Sequence, residues 1–277
     1  MISIEAPEIR VLREQASRSL VGRTIVELEC GDVGRLARIG FINPDRLATL
    51  RGATVEAVRG RGVLLVLDLT GGHHLVVGPE YGGTVRLLDG AHPIGAAHVS
   101  IRLAPESTLQ IRLTGMGTVY ACSDADLDAL YVYARDFGDV LAPGETCFAR
   151  DRFAALLTAR SIQLKPLFVG RQAVVAGIGN ATFQEIAFLS RVHPRRTSGT
   201  LAPTEIDALY DAVADSFGRR VAAGGKIGFT ALDGTPGSYP MAMGPDYRDK
   251  PCPRCGSIVE RVSYGGGPTY FCPGCQT

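Results

Sequence analysis

The chain has 277 residues, of which 45% are hydrophobic and 21% charged, and its formal net charge at pH 7 is +1. This length allows two or three units with cores of their own, and the hydrophobic content excludes a wholly disordered protein. A net charge so close to zero does not by itself indicate a nucleic-acid-binding protein, so a DNA-binding face has to come from local clusters. No apolar run is long enough to span a bilayer and the start of the chain does not resemble a signal peptide, which predicts a cytoplasmic protein.

The first half of the chain predicts one helix followed by an antiparallel β-sandwich. Residues 7–21 have helical spacing, with Pro7 in the first turn and Gly22 after the end. From there to about residue 123 the sequence consists of short β-rich runs separated by Gly, Pro, Asp and Asn, which is typical of a sandwich. Examples of these runs are 24–28, 63–69, 75–77, 99–103, 111–113 and 119–121. A second helix is predicted over 124–137.

The second half predicts a helical region and a small C-terminal module. Helices are expected over 151–159, from about Asn180 to Arg191, and over 203–222. Residues 224–250 are rich in Gly, Pro and Asp and form either an ordered loop or a linker. The predicted fold class is therefore α+β with several domains. The predicted segments are an N-terminal domain (1–137), a linker (138–150), a helical domain (151–225), a loop (226–249) and the C-terminal module (250–277).

Four cysteines near the C-terminus have the spacing of a zinc site. They form two CxxC pairs separated by sixteen residues: Cys252, Cys255, Cys272 and Cys275. Two such turns present four thiolates that close a tetrahedron around Zn²⁺, and a site with four protein ligands has no open position for a reaction. The pattern predicts one structural zinc ion on a β-hairpin. The alternative is a pair of redox dithiols.

A glycine-rich turn precedes the middle helix of the second half. Gly177 and Gly179 bracket a tight turn that leads into the helix starting near Asn180. Such a turn exposes backbone N–H groups, and a helix N-terminus favours an anion such as phosphate. Asn180 and Lys165 are therefore candidates to contact DNA phosphates. The alternative is an ordinary helical hairpin in which Asn180 serves as a cap.

The run 174–196, VVAGIGNATFQEIAFLSRVHPRR, resembles the helix–two-turn–helix of the formamidopyrimidine-DNA glycosylase and endonuclease VIII family. The order of the segments is also similar, with an N-terminal helix and sandwich, this module, and a four-cysteine finger. The resemblance implies a DNA repair enzyme that binds damaged duplex DNA, flips out a lesion and cleaves its N-glycosidic bond. It implies phosphate contacts from Lys165, Asn180, Arg248 and Arg61.

The N-terminus departs from the family at the position that matters most for its chemistry. In the family a proline amine attacks the sugar C1′ and the adjacent glutamate handles protons. In this chain Ile4 stands at the proline position, whereas Glu5 matches the catalytic glutamate and Glu8 is the second acidic residue, so both are candidate catalytic residues. The alternatives are that both are acidic residues that complement the start of the helix, or that Glu8 holds the N-terminal segment or a bound water. Three residues precede Ile4, and Met1 is not expected to be removed before a bulky residue. A Schiff-base step through proline is therefore not expected.

Other departures affect the DNA-binding positions implied by the resemblance. The family's hairpin lysine falls on Arg61, and the residues that fill the space left by the flipped base fall near Tyr81 and Met116. Tyr81 and Met116 are candidates to intercalate, or else they belong to the core. The arginine on the finger falls on Gly267, within a three-glycine tip. These departures occur together in a branch described as endonuclease VIII-like, which this chain resembles.

Three hypotheses about function follow. The first is a monofunctional DNA glycosylase in which Glu5 activates a water molecule, acting as a monomer on damaged double-stranded DNA at the nucleoid. The second is a non-catalytic protein that binds DNA lesions or DNA structure on the same fold. The third is a bifunctional glycosylase and lyase that uses another amine, such as Lys165 or Lys226.

Overall fold

A computed structural model describes residues 3–265 and 267–277. The chain divides into two compact units. Unit 1 consists of Met1–Gly138 and Ala223–Ser238, and unit 2 consists of Asp139–Ala222 and Tyr239–Thr277. The segment 226–249, predicted as a loop, therefore contributes residues to both units. Within the described part of the chain, no helix is long and apolar enough to cross a membrane.

Unit 1 is built on two four-stranded antiparallel sheets, as the sequence predicts. Its elements are α1 (Ala6–Leu20), β1 (Thr24–Cys30), α2 (Gly34–Arg38), α3 (Pro44–Ala48), β2 (Val55–Arg61), β3 (Leu64–Leu69), β4 (His73–Gly78), β5 (Thr84–Asp89), β6 (Val99–Ala104), β7 (Ser107–Arg112), β8 (Thr118–Ser123), α4 (Asp124–Leu127) and α5 (Tyr131–Phe137). One sheet has the strand order β1-β6-β7-β5 and the other β2-β3-β4-β8. The runs given as examples do not include β2 or β5, and the two short helices α2 and α3 were not predicted.

In the second sheet, strand β3 is buried on both faces, which explains its continuous apolar sequence. Leu64 and Val66 point into a cluster with Leu127 of α4, whereas Leu65 and Leu67 on the opposite face are also fully buried. Successive strand residues face opposite sides of a sheet, so a strand covered on both sides loses the usual alternation of polar and apolar residues. The helix α1 packs beside β2 and β3.

The prediction of one helix over 124–137 is wrong, because the chain forms two short helices there. The N–H of Leu130 donates to the Leu127 carbonyl oxygen at 3.1 Å, three residues back, which tightens and ends α4. Leu130 then adopts an extended conformation (φ −70°, ψ 113°), and its carbonyl oxygen accepts the N–H of Ala134 in α5 at 2.9 Å. Side chains of both helices pack on the same apolar cluster.

Unit 2 is helical and ends in a β-hairpin. Its elements are α6 (Arg150–Thr158), α7 (Leu164–Phe168), α8 (Asn180–Leu189), α9 (Pro203–Ala222), β9 (Glu260–Tyr264) and β10 (Gly267–Phe271). A core of buried Phe, Leu, Ile and Val side chains surrounds α8, which packs against α9 and β10. Because α8 has neighbours on several sides, even its Gln184 and Glu185 are buried.

Candidate active site and nucleic-acid interface

The candidate active site of unit 1 lies at the start of α1. Glu5 is the N-cap residue, with an extended backbone (φ −127°, ψ −179°), and forms a capping box with Glu8. The N–H of Glu5 donates to Oε2 of Glu8 at 3.1 Å. The first N–H groups of a helix have no partners within the helix, so acidic residues at these two positions complete the helix start. The local sequence therefore determines the positions of Glu5 and Glu8 at the start of α1.

Glu8 also connects the helix start to the segment that returns to unit 1 after α9. Its Oε1 accepts the backbone N–H of Lys226 at 3.1 Å, and the Glu8 side chain is fully buried. The two carboxylate oxygens thus hold two backbone N–H groups that are 221 residues apart in sequence. The sequence grouped Glu8 with Glu5 as a candidate catalytic residue, and these contacts favour a positioning role for it.

The Glu5 carboxylate lies between a hydroxyl and an ammonium group. Ser3 Oγ donates to Glu5 Oε1 at 3.0 Å, and Lys226 Nζ lies 3.6 Å from Glu5 Oε2. Lys226 Nζ also donates to Ser3 Oγ at 3.1 Å, which closes a ring of three side chains. Glu5 is 1% exposed and Lys226 is 4% exposed. The cluster can therefore hold a carboxylate in its charged form, away from bulk water.

Ile4, at the position where the resemblance implies a nucleophilic proline, is buried within the chain. Its nitrogen belongs to a peptide bond with Ser3 and has no amine chemistry. Met1 and Ile2 lie outside the described residues. Because the Ile4 nitrogen has no amine chemistry, the groups near position 4 that can accept or donate a proton are the side chains of Glu5 and its neighbours.

Tyr81 and Met116 lie on adjacent loops of unit 1. The Thr114 hydroxyl donates to the Tyr81 carbonyl oxygen, and the exposed fractions of Tyr81 and Met116 are 40% and 50%. Burial of the phenol raises the pKa of Tyr81, and the charges of Glu5 and Glu80 raise it further. This interaction places Tyr81 in the surroundings of Glu5. Both side chains are therefore half-exposed and lie outside the buried core.

Arg61 ends β2, and its guanidinium donates to the carbonyl oxygen of Gly138 at 3.0 Å. Arg248 of unit 2 is more exposed, with 55% of its side chain accessible, and forms an ion pair with Asp249 at 3.1 Å. Both guanidinium groups therefore have protein partners. An exposed ion pair of this kind contributes little to stability, so Arg248 can exchange its partner for a phosphate at small cost.

In unit 2, Lys165 and Asn180 both contact the finger hairpin. Lys165 is 1% exposed, and its Nζ donates to the Gly267 carbonyl oxygen at 3.2 Å and to Thr269 Oγ1 at 3.1 Å. Asn180 Nδ2 donates to the carbonyl oxygen of Pro268 at 2.8 Å. Burial lowers the pKa of Lys165. The two residues predicted to contact phosphates thus meet at the first three residues of β10.

A third contact, which the sequence did not reveal, completes the attachment of the hairpin. The backbone N–H of Tyr270 donates to Gln184 Oε1 at 3.1 Å. Side chains from α7 and α8 therefore hold four consecutive residues of β10. Gly266, part of the predicted glycine tip, lies outside the described residues.

The four cysteines of unit 2 form a zinc site, as predicted. Their Sγ atoms all lie within 4.8 Å of one another, with 3.9 Å between Cys252 and Cys275 and 3.4 Å between Cys255 and Cys272. Zn–S bonds of about 2.3 Å in a tetrahedron need sulfur atoms about 3.8 Å apart, so the geometry fits one zinc ion. A Cβ at Gly274 would lie 2.4 Å from Ser257 Oγ and 3.2 Å from the Cys255 sulfur, which explains the glycine in the second CxxC. The zinc is structural, with four protein ligands and no open position.

The contact between Lys226 and Glu5 is the main feature of the site that sequence reasoning missed. Lys226 was considered only as an alternative amine. One sequence feature could have indicated Lys226: it directly follows two glycines that end a helix, and it is the only lysine between Lys165 and Lys250. Its position beside Glu5 depends on the return of 223–238 to unit 1, which no local pattern predicts.

Comparisons with known proteins agree with this architecture. Three family models match: the formamidopyrimidine-DNA glycosylase N-terminal domain over residues 4–117, the formamidopyrimidine-DNA glycosylase H2TH domain over 141–230, and the zinc finger found in FPG and IleRS over 249–277. The first match begins at Ile4. Each model covers one of the segments on which the resemblance depended.

Relatives and solved structures match over nearly the whole chain. Formamidopyrimidine-DNA glycosylases of Geotalea uraniireducens and Roseiflexus sp. are each 30% identical, over 98% of this chain and 99% of theirs. MutM (Fpg) of Thermus thermophilus is 26% identical with a TM-score of 0.83, covering 98% of both chains. Lactococcus lactis Fpg, solved with DNA containing an abasic site, shares the fold with a TM-score of 0.83 at 22% identity, covering 99% of both chains. The chain therefore belongs to the formamidopyrimidine-DNA glycosylase family.

Proposed function

We propose that this protein is a DNA glycosylase of base excision repair that releases a damaged base by hydrolysis, with Glu5 as the residue that activates water. The observation that carries the proposal is the Glu5 carboxylate, which is buried between the Ser3 hydroxyl and the Lys226 ammonium while a peptide nitrogen stands at position 4. Relatives along the whole chain are named formamidopyrimidine-DNA glycosylases, which supports the reaction class.

The proposed reaction needs no covalent enzyme intermediate. Glu5 accepts a proton from a water molecule, and the water oxygen forms a bond to C1′ of the flipped nucleotide as the C1′–N bond to the base breaks. The electron pair of that bond leaves with the base, which takes a proton from solvent while Glu5 releases its proton to solvent, and an abasic sugar remains in the intact strand. A charged carboxylate also stabilises positive charge that develops on the sugar in the transition state. Glu8 holds the helix start in place for this chemistry.

The proposed partner is double-stranded DNA with a damaged base, bound by a monomer at the nucleoid in the cytoplasm. Lysine and arginine side chains would neutralise phosphates, and half-exposed apolar side chains would occupy the space left by the flipped base. The residues assigned to these contacts are Arg61, Tyr81, Met116, Lys165, Asn180 and Arg248. Lys165 and Asn180 also order the finger hairpin, so their contribution to binding is partly indirect.

A second candidate function is recognition of DNA lesions without chemistry. The observation that favours it is the buried Ile4, which removes the amine implied by the family resemblance. Glu5 distinguishes the two candidates, because a protein that only binds has no need of a carboxylate held in a charged cluster.

A panel of oligonucleotide duplexes tests the proposed function. We expect the zinc-loaded protein to release a base from at least one of oxidised, alkylated or crosslinked substrates, with strand breaks that appear only after hot alkali. Alkali cleaves abasic sites, so this result shows base release without lyase action. Breaks without alkali would contradict the hydrolytic mechanism, and tight lesion binding with no breaks at all would favour the recognition protein.

The role of Glu8 is tested by stability. Glu8→Gln leaves one acceptor oxygen for two backbone N–H groups, and we expect it to lower the free energy of unfolding by about 2 kcal/mol. Glu14→Gln on the same helix is the matched control, because the Glu14 side chain is partly exposed and paired with Arg10, and its effect should stay within about 0.5 kcal/mol. The chain has no tryptophan, so far-UV circular dichroism in urea is the suitable measurement. Equal small effects in both variants would mean that Glu8 does not hold the site together.

A further inference from the structure

Lys226 is a buried cation that the hydrolytic reaction, as described above, does not use. The chain has three lysines, at 165, 226 and 250, and Lys226 is 4% exposed. A lysine loses its hydration when it is buried, so it is retained in such a place when a specific partner offsets that cost. Its partners within unit 1 are the Glu5 carboxylate and the Ser3 hydroxyl.

The backbone around Lys226 is built to hold this side chain in one place. Gly225 precedes it in a conformation that favours glycine (φ 101°), and the Lys226 N–H and carbonyl oxygen are taken by Glu8 at 3.1 Å and the Phe229 N–H at 3.0 Å. Gly237 lies so close that a Cβ there would be 2.6 Å from the Lys226 carbonyl oxygen. Both backbone groups of Lys226 are therefore fixed before its side chain reaches Glu5.

The charged groups around Glu5 show that the Lys226 ammonium group offsets the cost of a buried negative charge at Glu5. In the described part of the chain, Glu8 on α1 and Lys226 on the returning segment lie beside Glu5, and the charge of Glu5 also acts on Tyr81 after β4. Glu8 is acidic and Tyr81 carries no positive charge, so neither favours a second negative charge at a buried position. Lys226 is the cation of this group, at a distance where an opposite charge strongly favours the charged form of a carboxylate.

We propose that Lys226 is a positioning residue that keeps Glu5 ionised and oriented for attack on the flipped nucleotide, with Ser3 bridging the two side chains. Lys226 donates to Ser3, and Ser3 donates to one oxygen of Glu5, so this carboxylate cannot rotate freely. The ammonium faces the other oxygen, Oε2. This inference rests on the proposed role of Glu5 and adds the group that makes a buried glutamate able to accept a proton from water.

A double-mutant cycle on thermal stability tests the pair without any substrate. Lys226→Met leaves a buried carboxylate without its cation, and we expect the unfolding midpoint to fall by several degrees. In the Glu5→Gln background, Lys226→Met removes a cation that lies beside a neutral side chain. The further fall of the unfolding midpoint should therefore be much smaller. Lys226→Arg, which keeps the charge, should restore most of the midpoint. Additive effects of Lys226→Met and Glu5→Gln would overturn the proposal.

Base release under single-turnover conditions provides the second readout. We expect Lys226→Met to lower the rate about 10²-fold, with the acidic limb of the pH–rate profile moved to higher pH, while affinity for uncleaved lesion DNA stays close to wild type. Lys226→Arg should recover much of the rate. Lys250→Met removes one positive charge from an exposed position of unit 2 and controls for charge alone. An unmoved acidic limb, or a loss of affinity that accounts for the lower rate, would overturn the proposal.

Borohydride trapping separates a positioning lysine from a nucleophilic one. With three lysines in the chain, a reduced adduct to abasic-site DNA can be assigned by peptide mapping. We expect no adduct at Lys226, and an adduct there would overturn the proposal by showing that this amine attacks the sugar. The proposed function would be contradicted separately, by full base release in Glu5→Gln. The double-mutant cycle on stability tests the Lys226–Glu5 pair independently of any activity.

Discussion

Glu5→Gln is expected to abolish base release and to leave lesion-DNA binding within about threefold of wild type. Glutamine has nearly the same shape and keeps an oxygen that accepts the Ser3 hydroxyl, but it cannot take a proton from water. Loss of a general base lowers the rate by about 10²- to 10⁴-fold, and loss of the negative charge removes stabilisation of the positive sugar in the transition state. Single-turnover assays with hot alkali measure the rate, and gel-shift titrations measure binding.

Glu14→Gln on the same helix is the control for this experiment. Glu14 is 38% exposed and paired with Arg10 at 2.6 Å, so its loss should change neither rate nor affinity. Unchanged base release in Glu5→Gln would remove Glu5 from the mechanism. Loss of both base release and binding, in a variant that unfolds like wild type, would mean that Glu5 contributes to recognition and not to the chemical step.

Removing one zinc ligand has the second largest expected effect. Cys272→Ser, or a strong chelator on the wild-type protein, should release the one zinc ion and unfold the finger hairpin. The buried cluster that supports the hairpin is small, formed by Phe188, Met243, Val259 and Tyr270 with two of the cysteines. A cluster of that size stabilises little, whereas zinc binding contributes about 10–16 kcal/mol in zinc-finger peptides. We expect one zinc per chain in the wild type and rapid proteolysis of the hairpin in the variant.

The consequences for DNA binding follow from the contacts of β10. When the hairpin unfolds, Lys165 loses Gly267 and Thr269, and Asn180 loses Pro268. Both side chains then lose their orientation, so lesion-DNA binding should fall by at least about tenfold. Cys147→Ser is the matched control, because Cys147 lies outside the four-cysteine cluster, and it should keep one zinc ion and full binding. Full DNA binding by the zinc-free protein would mean that the folded hairpin is not needed for DNA recognition.

The sequence by itself determined those features whose cause is local. Two CxxC pairs specify a zinc site because each pair places two thiolates on one tight turn. The start of α1 and the whole of α9 could be placed from proline, acidic residues and helical spacing, because caps and periodicity act within a few residues. The absence of an amine at position 4 is also a local fact, and it directs the proposed mechanism away from a covalent intermediate.

Only the tertiary structure decided the features that depend on distant parts of the chain. The strand order β1-β6-β7-β5 places neighbours that are far apart in sequence, and the edge strand β5 lacks the continuous apolar pattern by which β3 was found. The break between α4 and α5 occurs at Leu130, whose extended backbone the helical spacing of the sequence does not reveal. The pair formed by Glu5 and Lys226 needs two segments 221 residues apart to meet, because burial and charge pairing are properties of the folded chain.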